Sequence, residues 1–510
     1  MLATARSASV IGINAFPVDV QVDVSSGLPG FNIVGLPEGA VRESRERVRA
    51  AIKNCGYIFP TKKLTVNLAP ADIKKEGAGL DLPIAAAILC AVGIIKQEKL
   101  NEFAILGELS LDGNIRPARG ILSISLAARF WGLSGGLIIP KENAEEAAIV
   151  KETMVYPVKH LSELVEFLIG NLDIKPKKID HKKLSLDKDN NQEDFSDVTG
   201  QEHAKRALEV AAAGGHNILM VGPPGSGKTM LAKRLPSILP PLSFEEALET
   251  TAVYSVAGLL PPGTPLVSTR PFCTPHHSIS DAGLIGGGAI PKPGQISLAH
   301  NGVLFLDELP EFQKNVLEGM RQPIEDGIVT IARVNMTITF PARITLVAAQ
   351  NPCPCGHLGD PKINCSCTPQ QIARYKNKVS GPLMDRIDIH IEVPAVPYSE
   401  LIKSRRGEDS KTIRDRVVAA RDIQKRRFEG LEIYCNAQMS SKEMRKFCVL
   451  DGQCKDFLVS ALQKLGFSAR AYHRIIKVSR TIADLEGAKE ISIKHLAEAI
   501  QYRTFDRKVL

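Results

Sequence analysis

The stretch His216–Leu235 reads HNILMVGPPGSGKTMLAKRL. Its four apolar residues Ile218–Val221 read as a buried strand, and the residues from Lys228 onward follow a helical pattern. Between them runs Gly222-Pro223-Pro224-Gly225-Ser226-Gly227-Lys228-Thr229, a G-x-x-x-x-G-K-T loop in the strand–loop–helix setting that gives the pattern its meaning. Glycines let backbone N–H groups wrap a triphosphate at a helix N-terminus, where the peptide dipoles favour an anion. Lys228 is expected to reach the β- and γ-phosphates, and Thr229 to place its hydroxyl on Mg²⁺.

Downstream segments supply the other half of a hydrolytic site. NGVLFLDELPEF (Asn301–Phe312) reads as a buried strand ending in Asp307-Glu308, with Asp307 expected to hold Mg²⁺ through water and Glu308 to orient the attacking water. RITLVAAQN (Arg343–Asn351) reads as another strand whose end would set Asn351 beside Glu308, to polarise the water or sense the γ-phosphate. SGPLMDRIDIHIEVP (Ser380–Pro394) puts Arg386 in a loop before a strand, a position from which an arginine can reach a neighbouring subunit's nucleotide. That role requires a closed ring of subunits. In FSARAYHRIIKVSRTIADL (Phe467–Leu485), a helical stretch, Arg470 and Arg474 are candidates to touch phosphate from a lid, or else lie on an exposed helix face.

At 510 residues, about three domains are expected. The charged, apolar-poor stretch 171–194 separates an N-terminal α/β domain (1–170) from the ATPase core (195–395), and the prolines of Val393–Glu400 mark a helical C-terminal domain (396–510). Hydrophobic residues at 44% exclude chain-wide disorder. No secretion signal or membrane-length apolar run is visible, so a cytoplasmic protein without a membrane partner is expected. Net charge is +8, yet residues 396–510 alone hold 24 Lys/Arg against 15 Asp/Glu. Such a localised excess suits either a polyanion partner or a solvated basic helical surface.

In the N-terminal part, Val18–Val24 and Lys63–Pro70 read as strands, and Glu38–Gly56 and Leu82–Ile95 as helices. Phe103–Pro117 reads as a hairpin turning at Asp112-Gly113. Arg42, Arg45, Arg47 and Arg49 form either a phosphate-binding face or, with Glu43 and Glu46, an ordinary charged one. Lys228 and Asp307 lie 79 residues apart, with the Gly/Pro-rich stretch Ala257–Gly294 between them, and irregular insertions of that length are usually functional loops. Glu325–Pro341 reads as two alternating strands with Arg333 and Asn335 at the bend, candidates for DNA-phosphate contact or simply an exposed turn. His276 and His277 lack further ligand partners and suit hydrogen bonding or exposure better than metal binding.

Ten cysteines in a cytosolic chain point away from disulfides. Cys353, Cys355, Cys365 and Cys367 follow C-x-C-x₉-C-x-C, enough for one structural tetrahedral Zn²⁺, with His357 as a substitute ligand. Redox-active or unligated thiols are the alternatives. A zinc here would stiffen the loop that follows Asn351.

These segments resemble those of AAA+ ATPases, and DVTGQEHAKRAL (Asp197–Leu208) is similar to the adenine-side segment of that family. In the family's terms they look like Walker A, Walker B (Asp307, Glu308), sensor 1 (Asn351), arginine finger (Arg386) and sensor 2 (Arg470). STRPFCTPHHSISDAGLIGGG (Ser268–Gly288), KPGQISLAHNGVLFLDELPEF (Lys292–Phe312), LVAAQNPCPCG (Leu346–Gly356) and GLPGFNIVGLPEGAVRESRERVRAAI (Gly27–Ile52) resemble the Mg-chelatase-like ComM/YifB proteins. The resemblance implies ATP and Mg²⁺ as cofactors and a hexameric DNA helicase. That helicase would act on single-stranded and branched DNA, migrating branches during homologous recombination in natural transformation, alongside recombination proteins. It also implies that the insert and the hairpin face a central pore. The N-terminal domain resembles the S5-like fold of Lon proteases, but Glu76–Asp81 has no serine and Gly113–Ala128 no lysine, so no proteolysis is expected. Two rivals stand: a chelatase-type motor subunit acting on a protein partner, and a nucleotide-switched scaffold.

Overall fold

The computed structural model describes residues 1–36, 39–73, 75, 78–180, 193–261, 263–288, 291–333, 336–359, 363–395, 407–466 and 469–503. The chain gathers into two compact units, Met1–Ser185 with Phe244–Val267, and Leu186–Ser243 with Ser268–Leu510.

The first unit is built on a seven-stranded mixed sheet. Its order is Gly30–Val34, Lys63–Ala69, Asn14–Ser25, Leu2–Ile11, Phe103–Ile105, Gly136–Pro140, Val155–Val158. Alternation along each strand sends side chains to two separate cores. Ala3, Ala5, Phe103, Ile105 and Ile138 join one core with the helix Asp81–Ala91, whereas Ala8, Ala104, Leu137 and Ile139 join the other with the helix Ile121–Ala128. The result is an α/β sandwich. Phe103–Ile105, expected in a hairpin, instead joins the main sheet parallel to Gly136–Pro140, and only Glu108–Leu109 with Ile115–Arg116 pair as a hairpin. Burial on both faces makes Phe103–Ile105 a central strand.

Arg47 grips the buried Asp81 with two bonds of 2.7 and 3.1 Å, Arg45 donates to the Phe31 carbonyl, and Arg49 lies over the Phe59 ring. Three of the four arginines thus have partners within their own unit, Arg45 and Arg49 while staying exposed; the side chain of Arg42 lies outside the description. Burial pushes the Asp81 carboxyl up to about 6 even against the pull of Arg47. In addition, the helix Phe244–Ala257, which follows the P-loop helix in sequence, packs Leu248 and Ala252 on Leu122, Leu126 and Val150 of this unit. Its Ser255 hydroxyl bonds the buried Glu146 carboxylate.

The second unit holds a five-stranded, all-parallel sheet in the order Phe272–Cys273, Val303–Leu306, Thr345–Gln350, Ile218–Val221, Ile389–Glu392. Every residue of Ile218–Val221 and Val303–Leu306 is buried, as strands covered on both faces require. The helices Ser410–Arg427, Gly452–Leu465, Ala469–Leu485 and Ile493–Gln501 pack in the same apolar core as the P-loop strand. The expected hairpin forms from Ile328–Arg333 and Met336–Pro341 in antiparallel register, with Arg333 exposed opposite Met336. Asn335 lies outside the described residues.

Candidate ATPase site

The parallel sheet directs three strand ends to one place. Ile218–Val221 leads into Gly222, where an added Cβ would lie 2.1 Å from the Val393 carbonyl oxygen, so only glycine fits the close approach of the two chains. Gly225 and Gly227 adopt φ of 74° and 89°, the left-handed backbone that curls the loop back over the start of the helix Lys228–Ile238. Lys228 is turned into this curl. Its ammonium donates to the Gly222 and Pro223 carbonyls, both at 2.8 Å, and to Asn351 Oδ1 at 3.3 Å. Burial lowers its pKa, while Asp307 and Glu308 work in the opposite direction.

The Thr229 hydroxyl donates to Asp307 Oδ2 at 2.7 Å, joining the P-loop helix to the end of Val303–Leu306. Two oxygens this close suit a small hard cation that keeps most of its ligands as water and phosphate. Glu308 follows in a left-handed conformation (φ 53°), unusual for a residue with a side chain, and its amide donates to Asp307 Oδ1. Asn351 comes from the end of Thr345–Gln350, and its backbone N–H donates to the Tyr375 hydroxyl. Burial pushes that phenol up to about 12, so it stays protonated. The structure thus brings together Lys228, Thr229, Asp307, Glu308 and Asn351.

The arginines form a second group. Arg386 sits in a turn ahead of Ile389–Glu392, donates to the Pro382 carbonyl at 2.7 Å and pairs with Glu325 at 2.6 Å. Its Nε has no hydrogen-bond partner among the described residues. Arg470 reaches Asp385, 3.1 Å away, and Arg474, one helical turn on, reaches Asp388 at 2.7 Å. Both lid arginines therefore clasp the segment that carries Arg386. Arg474 is mostly buried there, so it lies on no exposed face. His216 holds the other oxygen of Asp388 at 3.0 Å and Thr481 at 2.8 Å, which ties the start of the P-loop strand into the same buried network.

The four cysteines converge. Their sulfurs all lie within 4.8 Å of one another, with Cys353, Cys355 and Cys365 separated by 3.4 to 3.6 Å. A tetrahedron with metal–sulfur bonds of about 2.3 Å has edges of about 3.8 Å, so the donor set fits one Zn²⁺-sized ion. The His357 backbone N–H lowers the Cys355 thiol to about 5 against burial, whereas burial and the neighbouring sulfurs hold Cys365 and Cys367 above the ordinary thiol range. The same loop touches the nucleotide site, because Gly356 (φ 83°) packs so closely that an added Cβ would meet Pro224 Cδ at 2.5 Å.

Sequence reasoning missed three partners. His277 lies 3.5 Å from Glu308, Glu325 holds Arg386, and Tyr375 underlies Asn351. Only His277 has a visible signal, as half of a His-His pair in the insert that suits hydrogen bonding or exposure better than metal binding, without pointing to Glu308 as its partner.

A five-stranded parallel sheet with this P-loop and acidic strand end, closed by a C-terminal helical bundle, defines an AAA+ ATPase of the magnesium-chelatase type. Family models agree along the chain: magnesium chelatase, subunit ChlI, over residues 194–401; subunit ChlI of Mg-chelatase over 20–143; and the ChlI C-terminal region over 407–503. The YifB protein of Salmonella typhimurium is 45% identical over 100% of this chain and 98% of its own length. The competence protein ComM of Haemophilus influenzae is 46% identical over 99% and 98%. The chain belongs to the ComM/YifB family. Lon protease 2 of Bacillus subtilis is 32% identical over 26% of the chain and 25% of its own length, in keeping with a Lon-like N-terminal domain. Among the described residues, no helix is long and apolar enough to cross a membrane.

Proposed function

We propose that the chain is one subunit of a hexameric ring that uses ATP hydrolysis to translocate on DNA and migrate branches during recombination of incoming DNA. The observation that carries this reading is the separation of the site into two groups. Lys228, Thr229, Asp307, Glu308 and Asn351 converge, while Arg386 is held by Glu325 and Pro382 at the other group. A neighbour's Arg386 would complete the site in a head-to-tail ring. The name of the Haemophilus relative, a competence protein, supports DNA as the substrate.

ATP would supply the transferable phosphoryl group, with Thr229 and Asp307 holding Mg²⁺. Lys228 exchanges its two carbonyl partners for phosphate oxygens. Glu308 orients and deprotonates the attacking water, Asn351 positions it, and the neighbour's Arg386 stabilises charge on the transferred γ-phosphoryl group as ADP leaves. Arg470 reports the change to the Arg386 segment through Asp385. Arg333 on the hairpin, Asn335 and the Gly-rich insert meet backbone phosphates, so binding falls with salt and is indifferent to sequence. The four cysteines hold a structural zinc.

The test is ATP-dependent branch migration on a labelled four-way junction, with ATPase assayed with and without single-stranded DNA at two salt concentrations. Glu308→Gln is expected to keep ATP binding and lose roughly 10²- to 10⁴-fold in kcat, with migration abolished. The magnesium-chelatase family models favour a second reading, a motor acting on a protein partner. An ATPase indifferent to DNA, with no migration, would replace the first reading by that one.

A further inference from the structure

The strand Thr345–Gln350 pairs with the P-loop strand as far as Gln350 opposite Val221, and the next residue is Asn351. A backbone N–H that leaves a sheet in a buried setting needs a new acceptor. For Asn351 that acceptor is the Tyr375 hydroxyl. The side chain of the same residue faces the nucleotide loop, its Oδ1 taking a bond of 3.3 Å from the Lys228 ammonium. Pinning the peptide plane ahead of Asn351 leaves its Cα–Cβ bond little freedom to swing. The phenol therefore sets the aim of the carboxamide without sharing its contacts.

The sequence places this hydroxyl by a path that closes on itself. Thr368, directly after Cys367, caps the helix Pro369–Lys376. Its Oγ1 accepts from the Gln371 N–H at 3.3 Å, and Gln371 Oε1 accepts from the Thr368 N–H at 2.9 Å. Pro369 at the first helical position fixes the start further, and a fixed start decides where Tyr375 emerges about two turns on. The ring is buried, and Lys378 lies over it at 5.8 Å while bonding both Glu311 oxygens at 3.0 Å. The segment that leaves the sheet at Asn351 thus passes through the four cysteines and returns, at Tyr375, to the residue it started from. Packing alone would be served by phenylalanine; a buried hydroxyl costs free energy unless it is hydrogen-bonded.

We infer that Tyr375 is a positioning residue for ATP hydrolysis, its hydroxyl acting through the Asn351 backbone to hold the Asn351 carboxamide toward the γ-phosphate and the attacking water. Burial keeps the phenol protonated, at about 12, so it holds and does not transfer a proton. The inference rests on the ATPase reading of the site and is indifferent to what a ring would act upon.

The experiment measures steady-state kcat and KM for ATP, and the Kd of a fluorescent ATP analogue, in the full-length protein without DNA. The variants are Tyr375→Phe, Asn351→Ala and the double. Tyr375→Phe is expected to lower kcat roughly three- to ten-fold while KM and Kd stay within about two-fold. A residue that only packs would take ATP affinity down together with turnover. Asn351→Ala keeps the backbone N–H and removes what it aims, so the double variant should be no slower than Asn351→Ala alone. A smaller loss in Tyr375→Phe, a parallel loss of ATP affinity, or losses that add in the double variant overturns the inference. If Tyr375→Phe fails to fold, hydrogen exchange in the wild type decides. The Asn351 N–H should then exchange as slowly as those of Leu346–Gln350, and fast exchange overturns the contact. A wild type without ATPase activity would sink the hydrolytic reading itself, a result distinct from an active wild type matched by Tyr375→Phe.

Discussion

Replacing Asp388 by Asn should markedly destabilise the ATPase unit. The Asp388 side chain is 1% exposed and meets Arg474 at 2.7 Å and His216 at 3.0 Å, with Lys477 nearby. Burial alone would raise its pKa, but Arg474, His216 and Lys477 together hold it far below the usual carboxylate range. Asparagine keeps the shape and removes the charge, leaving Arg474 and Lys477 without their counter-ion. Breaking one side of a buried pair costs about 3–5 kcal/mol. At a few degrees per kcal/mol for a unit of this size, Tm falls on the order of 10 °C. A depressed folded pKa contributes stability that is present above the unfolded value of about 4 and is lost as pH falls through the folded one. Wild-type Tm should therefore drop as pH is lowered below about 4, and the Asn variant should show a flatter profile there. Calorimetry across pH 2–7, with Asp388→Asn, Arg474→Met and the double variant, reads both effects. A loss in Tm of only about 2 °C, or strict additivity of the two changes, would refute the network as a coupled unit.

Two further outcomes follow from the loop that carries the cysteines. Gly356→Val forces a side chain onto a positive φ and into Pro224, and should raise the Kd for a fluorescent ATP analogue roughly ten-fold; unchanged affinity would show that this loop does not support the P-loop. Metal analysis of the purified protein should find about one zinc per chain, and Cys353→Ser or Cys365→Ser should lose it and lower Tm by several degrees. Metal at background level in the wild type would leave four thiols without a ligand role.

The ATPase half was legible because its chemistry is local. A strand, a glycine loop and a lysine at fixed spacing leave few alternative arrangements, and the acidic strand end at Asp307-Glu308 completes the pattern. The sheet of the N-terminal unit was less so. Leu2–Ile11 alternates small residues such as Ala3, Ala5, Ser7 and Ser9 that have little intrinsic preference for a strand, and it becomes one by pairing along its whole length with Asn14–Ser25. Partnerships across the chain left no trace in spacing. Arg474 with Asp388 and Arg386 with Glu325 join residues dozens of positions apart, and only folding decides which carboxylate each arginine finds. The helix Phe244–Ala257 was equally hidden, since its neighbours in sequence belong to one unit and its neighbours in space to the other.

That helix has a consequence for how the molecule can be taken apart. The backbone leaves the first unit once, returns at Phe244 and departs again after Val267, so the two units are strung together by three covalent crossings. A protease cutting within 171–194 would nick the chain without releasing either piece. A fragment beginning after that stretch would carry Leu248 and Ala252 stripped of Leu122, Leu126 and Val150, and would meet water with an apolar stripe meant for another fold. The first unit is therefore complete only with a helix that lies beyond the P-loop in sequence.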